Sequence, residues 1–125
     1  MNYRNLEVWQ LARELLISIQ QMTLTKLPKF EMFEEASQMR RAIRPVKSNI
    51  VEGYGRQRYK QEFIRFIDYA RASCDEAADH LDTLVATESL TDPATMDDLT
   101  KSLDVLGRKL NLFLQGIERS HLSEK

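Results

Sequence analysis

The chain has 125 residues, of which 42% are apolar and 30% charged, and its net charge is −1. This composition excludes a disordered chain and fits one globular domain. A single cysteine excludes an intrachain disulfide, and the short apolar runs exclude a transmembrane helix, so we expect a cytoplasmic protein with no membrane partner. Four glycines and three prolines are too few for the turns of a β-sandwich or barrel, which favours an all-helical chain.

Apolar residues recur every three or four positions in four segments, which predicts four amphipathic helices. The four apolar seams are Val8, Ala12, Leu15, Ile19 and Met22; Met32, Ala36, Met39, Ile43, Val46 and Ile50; Phe63, Phe66, Ala70, Cys74, Ala77, Leu81 and Leu84; and Met96, Leu99, Leu103, Leu106, Leu110, Phe113 and Ile117. Sustained seams with short connections predict an all-α, up-down-up-down antiparallel four-helix bundle. We expect one domain over residues 1–125, with helices near 4–25, 29–53, 59–89 and 92–120 and a frayed tail over 120–125.

Glycine and proline mark the helix boundaries. Gly53 and Gly55 are predicted to end the second helix, because glycine tolerates the left-handed cap conformation. Asp92 followed by Pro93 is typical of a helix start. Pro45 lies inside the second helix, but the apolar seam stays in phase across it, so we expect a kink and not a break.

No residue pattern indicates catalysis. Cys74 lies on an apolar seam, which favours a buried core residue over a nucleophile. The Glu-x-x-His spacing of Glu118 and His121 is a single copy, whereas di-iron bundles need two. The glycines at 53 and 55 follow a helix, whereas a phosphate loop follows a strand. We therefore expect no enzymatic activity, catalytic residue, metal, cofactor or small-molecule substrate.

The charge is distributed unevenly along the chain. Between Arg40 and Arg71 there are nine basic and three acidic residues, whereas residues 72–100 carry eight acidic residues and no Lys or Arg. The candidate nucleic-acid-binding residues are Arg40, Arg41, Arg44, Lys47, Arg56, Arg58 and Lys60. Tyr54 and Tyr59 lie among them, and arginine beside aromatic rings suits RNA, whose bases stack on both.

Other interpretations of these residues stay open. The same cations can pair with Asp75, Asp79 and Asp82 on the third helix of this chain or of a neighbouring subunit. Asn49 and Glu52 share a helix face and are expected to form a structural polar cluster; an enzyme would instead need Glu52, Glu62 or Glu76 to converge with Arg40 or Arg41 in a buried pocket. Five apolar residues lie beside the seams and indicate a subunit interface: Trp9, Leu16, Phe33, Ile64 and Ile67.

The first three helices carry motifs of a known family. These motifs resemble the four-helix bundle family encoded in 23S rRNA intervening sequences, also labelled S23 ribosomal protein. They are the opening Leu6–Ala12, the blocks Gln38–Ala42 and Ser48–Gly53 followed by Gly55 and Arg56, and the segments Phe63–Phe66 and Ala70–Ser73. The resemblance implies a homopentamer without enzymatic activity and with a genomic link to rRNA. We therefore expect a self-associating, RNA-associated binding or scaffold module; the alternatives are a purely structural homo-oligomer and an accessory bundle of a diversity-generating reverse-transcriptase system.

Overall fold

The computed structural model describes residues 2–120, which form an all-α, up-down-up-down four-helix bundle. Helix α1 spans Glu7–Thr25, α2 Glu35–Gly55, α3 Lys60–Ala86 and α4 Pro93–Ser120, and short 3-10 helices, Tyr3–Asn5 and Lys29–Phe33, precede α1 and α2. The described residues include no strand and no helix with the length and apolar character needed to cross a membrane. Of the tail predicted to fray, Ser120 is the last residue of α4 and the rest lies outside the described residues.

The helices pack around one core in chain order. α1 contacts α2, α2 contacts α3, α3 contacts α4, and α4 returns to α1. Within the described residues the diagonal pairs, α1 with α3 and α2 with α4, make no close backbone contact. The face formed by α1 and α2 therefore lies opposite the face formed by α3 and α4.

The predicted seams form most of the core. Every seam residue of α1 is buried, and in α4 only Met96 and Phe113 are half-buried. The placement of Ile67 beside the seam is wrong, because its side chain is fully buried and Phe66 is the half-buried residue. Positions 66 and 67 both fit the helical spacing from Phe63 to Ala70, so the pattern alone does not decide between them.

Several predicted boundaries differ from the structure. α1 begins at Glu7 instead of residue 4, and α3 ends at Ala86 instead of residue 89. The second helix begins at Glu35, because residues 29–33 form a 3-10 helix, and Met32 lies in that segment. No described glycine has a positive φ, so Gly53 and Gly55 are ordinary helical residues and not left-handed caps. α2 continues through Pro45 without a break, and α4 begins at Pro93, as predicted.

Gly53 allows α2 and α3 to approach closely. A Cβ atom at this position would lie 3.1 Å from Cβ of Phe66 and 3.2 Å from Cδ1 of Ile67. Cβ of Phe66 is fixed to the α3 backbone and cannot rotate away. The α2–α3 contact is the most extensive in the bundle, and a side chain at position 53 would force its neighbours on α3 to shift by a few tenths of an ångström.

A buried carboxylate fastens the two connections at one end of the bundle. Glu31 is only 5% exposed; one oxygen accepts a hydrogen bond from the backbone N–H of Glu35 at 3.1 Å, and the other accepts one from the hydroxyl of Ser89. The first contact caps α2, and the second joins the α1–α2 connection to the α3–α4 connection. Since a buried carboxylate without partners is costly, these bonds fix how the 3-10 helix sits on the bundle.

The α3–α4 connection is a tight turn. Glu88 has a φ of 63°, and the backbone N–H groups of Ser89 and Leu90 both donate to the carbonyl of Leu84 at 3.0 Å. The carboxylate of Asp92 then accepts from the N–H and hydroxyl of Thr95, which lowers the pKa of Asp92 below its usual value. This bond confirms Asp92 as the cap of α4.

Replacing the glycines of α2 by alanine tests the close contact. We expect Gly53→Ala to lower the free energy of unfolding by about 1–3 kcal/mol, because the new methyl overpacks the α2–α3 contact. The matched control is Gly55→Ala, where a Cβ meets nothing within 4 Å; it should be neutral or stabilise by up to about 1 kcal/mol. Urea denaturation of both variants measures the difference, and equal midpoints would contradict the steric argument.

Removing the buried carboxylate tests the fastening of the connections. We expect Glu31→Ala to cost about 1–3 kcal/mol, because it leaves the Glu35 N–H and the Ser89 hydroxyl without their acceptor. Glu34→Ala, in the same connection but exposed, is the control and should change stability by less than about 0.5 kcal/mol. A Glu31 variant as stable as the Glu34 variant would show that the two bonds contribute nothing net.

Candidate nucleic-acid interface

The seven basic candidates lie on two adjoining parts of the surface. Arg40, Arg41, Arg44 and Lys47 are on α2, Arg56 and Arg58 follow its end, and Lys60 begins α3. Their surroundings differ, so the structure separates cations that are already engaged from cations that remain available to a partner.

Arg40 has a structural role. Its Nη2 donates to the carbonyl of Met32 at 2.7 Å, and its Nη1 is buried without a partner among the described residues. The guanidinium thus holds the 3-10 helix against α2. Arg40 and Lys47 are half-buried, whereas Arg41 and Arg44 are exposed.

Arg44 and Lys47 lean toward α1. Nη2 of Arg44 is 3.5 Å from Oε1 of Gln20, at the outer limit of a hydrogen bond, and Nζ of Lys47 lies 5.6 Å from the ring centre of Trp9. Neither cation has a carboxylate partner among the described residues. Arg41 is exposed and also lacks such a partner. These three charges therefore remain uncompensated along the outer surface of α2.

Arg56 is neutralised at the corner between α2 and α3. Its guanidinium lies 2.8 Å from Glu52 and 3.5 Å from Glu62, and it stacks over the ring of Phe66 at 5.1 Å. Arg65 also pairs with Glu62, at 3.1 Å. Within the described residues Asn49 makes no hydrogen bond with Glu52, so this polar cluster is built around Arg56.

Arg58 and Lys60 differ in accessibility. The guanidinium of Arg58 lies 5.7 Å from the ring centre of Tyr59, and this ring is 60% exposed. Nζ of Lys60 donates to the carbonyl of Glu118 at 3.0 Å, which satisfies the C-terminal end of α4. Arg58 is thus available to a partner, and Lys60 is committed to the bundle.

The acidic row on α3 has no basic counterpart on α2 of the same chain. Asp75 lies 3.7 Å from Arg71 on its own helix, and Asp79 and Asp82 form no ion pair with the described residues. None of the seven basic candidates reaches this row. The basic candidates therefore do not pair with these aspartates within one chain. The hypothesis that they pair with them between subunits stays open.

Cys74 and His80 both contribute to the structure of the bundle. Cys74 is buried, and burial raises the pKa of its thiol to about 11. His80, the histidine within residues 2–120, contacts Glu35 through Nδ1 and lies 3.8 Å from Glu76 through Nε2, joining α3 to the start of α2. Among residues 2–120 no three His, Cys, Asp or Glu side chains are grouped to hold a metal ion; His121 lies outside them.

The family model of 23S rRNA-intervening sequence proteins matches residues 4–112. The chain belongs to this family. One similar solved structure is a protein of unknown function from the S23 ribosomal protein family, from Bacteroides thetaiotaomicron. It is 18% identical, covers 86% of this chain and 95% of its own, and superposes with a TM-score of 0.78, which shows a shared fold. No curated protein matches the chain significantly.

The residues that resemble the motif of 23S rRNA-intervening sequence proteins are mostly used for packing. Ala42 and Ile50 are core residues, Gly53 sets the approach of α2 to α3, and Arg40 holds the 3-10 helix. Arg41 is the exposed cation of the motif that has no ion pair with the described residues. Sequence reasoning missed the buried contact of Glu31 with Ser89, because the two lie 58 positions apart and neither type is usually buried.

The reactivity of Cys74 tests its assignment as a core residue. A pKa of about 11 leaves about one thiol in a thousand ionised at pH 8, against about one in ten for an ordinary thiol with a pKa near 9. We expect an aromatic disulfide reagent at pH 8 to react at least about 100-fold more slowly with the native chain than with the chain in urea. Equal rates would contradict the burial of the thiol.

Proposed function

We propose that the chain is a non-enzymatic, self-associating bundle that binds RNA through the outer surface of α2 and the α2–α3 connection. The observation that carries this proposal is the exposure of Arg41, Arg44 and Arg58 without a carboxylate partner among the described residues. A guanidinium offers several donors in a planar fork that fits phosphate. A cytoplasmic location goes with this proposal.

Exposed aromatic rings close to the α2–α3 connection support a single-stranded target. Tyr59 is exposed under Arg58, and Tyr69, which is 49% exposed, packs edge-to-face on Phe66 at 5.6 Å. Unpaired bases stack on such rings and on arginine planes, whereas the bases of an RNA duplex are closed to side chains. We therefore propose single-stranded or loop RNA as the target class.

We further propose that the assembly is a homopentamer. Uncompensated carboxylates support self-association: Asp79 and Asp82 on α3 find no ionic partner in the described chain, and a neighbouring subunit can supply one. Exposed aromatic residues such as Phe33, which is 85% exposed, add apolar surface. Light scattering at micromolar concentration should give five times the protomer mass, and a monomer mass would refute the assembly.

Salt titration tests the RNA proposal. If Arg41, Arg44, Lys47 and Arg58 each neutralise one phosphate, log affinity for a labelled single-stranded RNA falls with log salt at a slope of about −3 per protomer. Arg41→Glu/Arg44→Glu should weaken binding at low salt more than tenfold and reduce the slope to about −1.4, because two phosphate contacts are lost. Fluorescence anisotropy measures both quantities.

The control variant is Arg13→Glu/Arg119→Glu, which applies the same charge change at exposed positions of α1 and α4. It should retain the slope. Binding undetectable at low salt with the unmodified chain would end the RNA proposal.

A purely structural role for the basic residues is the second candidate, favoured by the unpaired Asp79 and Asp82. Under that role, Arg41→Glu/Arg44→Glu dissociates the assembly, and adding Asp79→Lys/Asp82→Lys restores it. Sedimentation of the same variants separates the two candidates, because RNA binding predicts an intact assembly for Arg41→Glu/Arg44→Glu.

A further inference from the structure

Two aromatic side chains project together from the 3-10 helix between α1 and α2. Phe30 is 65% exposed and Phe33 is 85% exposed. Since a 3-10 helix has three residues per turn, side chains three positions apart lie one above the other. Glu31 is held in the bundle by its hydrogen bonds with Glu35 and Ser89. The side of the 3-10 helix that carries Glu31 therefore faces the bundle, and the two rings lie on its outer side. Lys29 is exposed beside the rings and has no ion pair with the described residues.

An acidic groove runs between α3 and α4. Its volume is about 780 Å³, within the range of clefts that enclose a drug-sized ligand. Its lining includes the apolar side chains of Leu81, Met96 and Leu103 and the carboxylates of Asp75, Asp82 and Asp97. The basic residue Arg108 also lines the groove and is paired with Asp104. Asp97 lies 2.9 Å from Lys101, and Asp75 lies 3.7 Å from Arg71. Asp82 is therefore the groove aspartate without an ion pair among the described residues.

The aromatic pair does not line the groove of its own chain. The backbone of the 3-10 helix packs on α1 and α2 and makes no close contact with α3 or α4 among the described residues. The outer surface of α2 does not match the groove either, because Ser37, Arg41 and Ser48 offer polar groups and no apolar side chain. The exposed rings with an adjacent lysine match both the apolar lining and the negative charge.

We propose that Phe30 and Phe33 of one copy insert into the α3–α4 groove of the next copy, with Lys29 facing its aspartates. This inference rests on the self-association proposed above and names the surfaces that meet. The two surfaces are different, so the contact is head-to-tail and each copy keeps one free aromatic pair and one free groove until a ring closes.

Two variants disable one side of the contact each. Phe30→Ser/Phe33→Ser removes the rings, and Ala78→Arg places a large cation on the exposed lining of the groove. Burying two phenylalanines accounts for a large share of such a contact, so each variant should weaken association at least about 100-fold. Sedimentation at micromolar concentration should then give monomers. Circular dichroism and the thermal midpoint verify the fold, and Ile17→Ser, at an exposed residue of α1, is the control that keeps the assembly.

Mixing the two variants decides the geometry of the contact. The Ala78→Arg chain keeps its aromatic pair, and the Phe30→Ser/Phe33→Ser chain keeps its groove, so a 1:1 mixture should form a species of two protomers and nothing larger. No association in the mixture would overturn the head-to-tail contact.

The remaining outcomes also separate this inference from the proposals above. A monomeric unmodified chain would overturn self-association and this contact together. An assembly that survives either variant would overturn this contact alone, and dissociation by Ala78→Arg but not by the phenylalanine variant would assign the groove to another segment. RNA affinity, measured separately on the monomeric variants, reports on the α2 surface independently.

Discussion

The close approach of α2 and α3 at Gly53 is the constraint on which the rest of the structure depends. A Cβ atom at this position would lie 3.1 Å from Cβ of Phe66, tighter than ordinary contact, and the side chain of Ile67 beside it is fully buried. Phe66 is then half-buried at the surface, where the guanidinium of Arg56 stacks on its ring. The ion pair of Arg56 with Glu62 spans the same approach, whereas its pair with Glu52 is a contact between residues four positions apart. The close approach at one glycine therefore brings Arg56 to Phe66 and Glu62.

This constraint changes how the family motif is interpreted. A run of arginines before a glycine invites an interpretation as a binding site. In the structure, however, Arg40 holds a 3-10 helix and Arg56 is neutralised by Glu52 and Glu62. The residues of the motif mainly determine how α2 packs against its neighbours. The surface available to a partner comprises Arg41, which belongs to the motif, and Arg44 and Arg58, which lie outside it.

The fold could be predicted from the sequence because the apolar seams repeat over many turns, and each turn indicates the same buried helix face. It could not choose between Phe66 and Ile67, since both fit the spacing, and it could not find the contact of Glu31 with Ser89, which joins distant connections. The basic candidates were identified by type and spacing. Their availability depends on partners such as the carbonyls of Met32 and Glu118, and backbone carbonyls leave no signal in a sequence.

The proposed surfaces can act together because they do not overlap. A head-to-tail contact through the 3-10 helix and the α3–α4 groove leaves the outer surface of α2 open. Each added copy would place Arg41, Arg44 and Arg58 beside another set, and the aspartates of α3 would face the lysine of a neighbour. The net charge stays at −1 per chain, but the contact would cover the groove aspartates and keep them apart from the α2 surface that meets the RNA. A single RNA strand that crosses several copies would bind each further site at a high effective concentration, so a modest affinity per protomer would suffice.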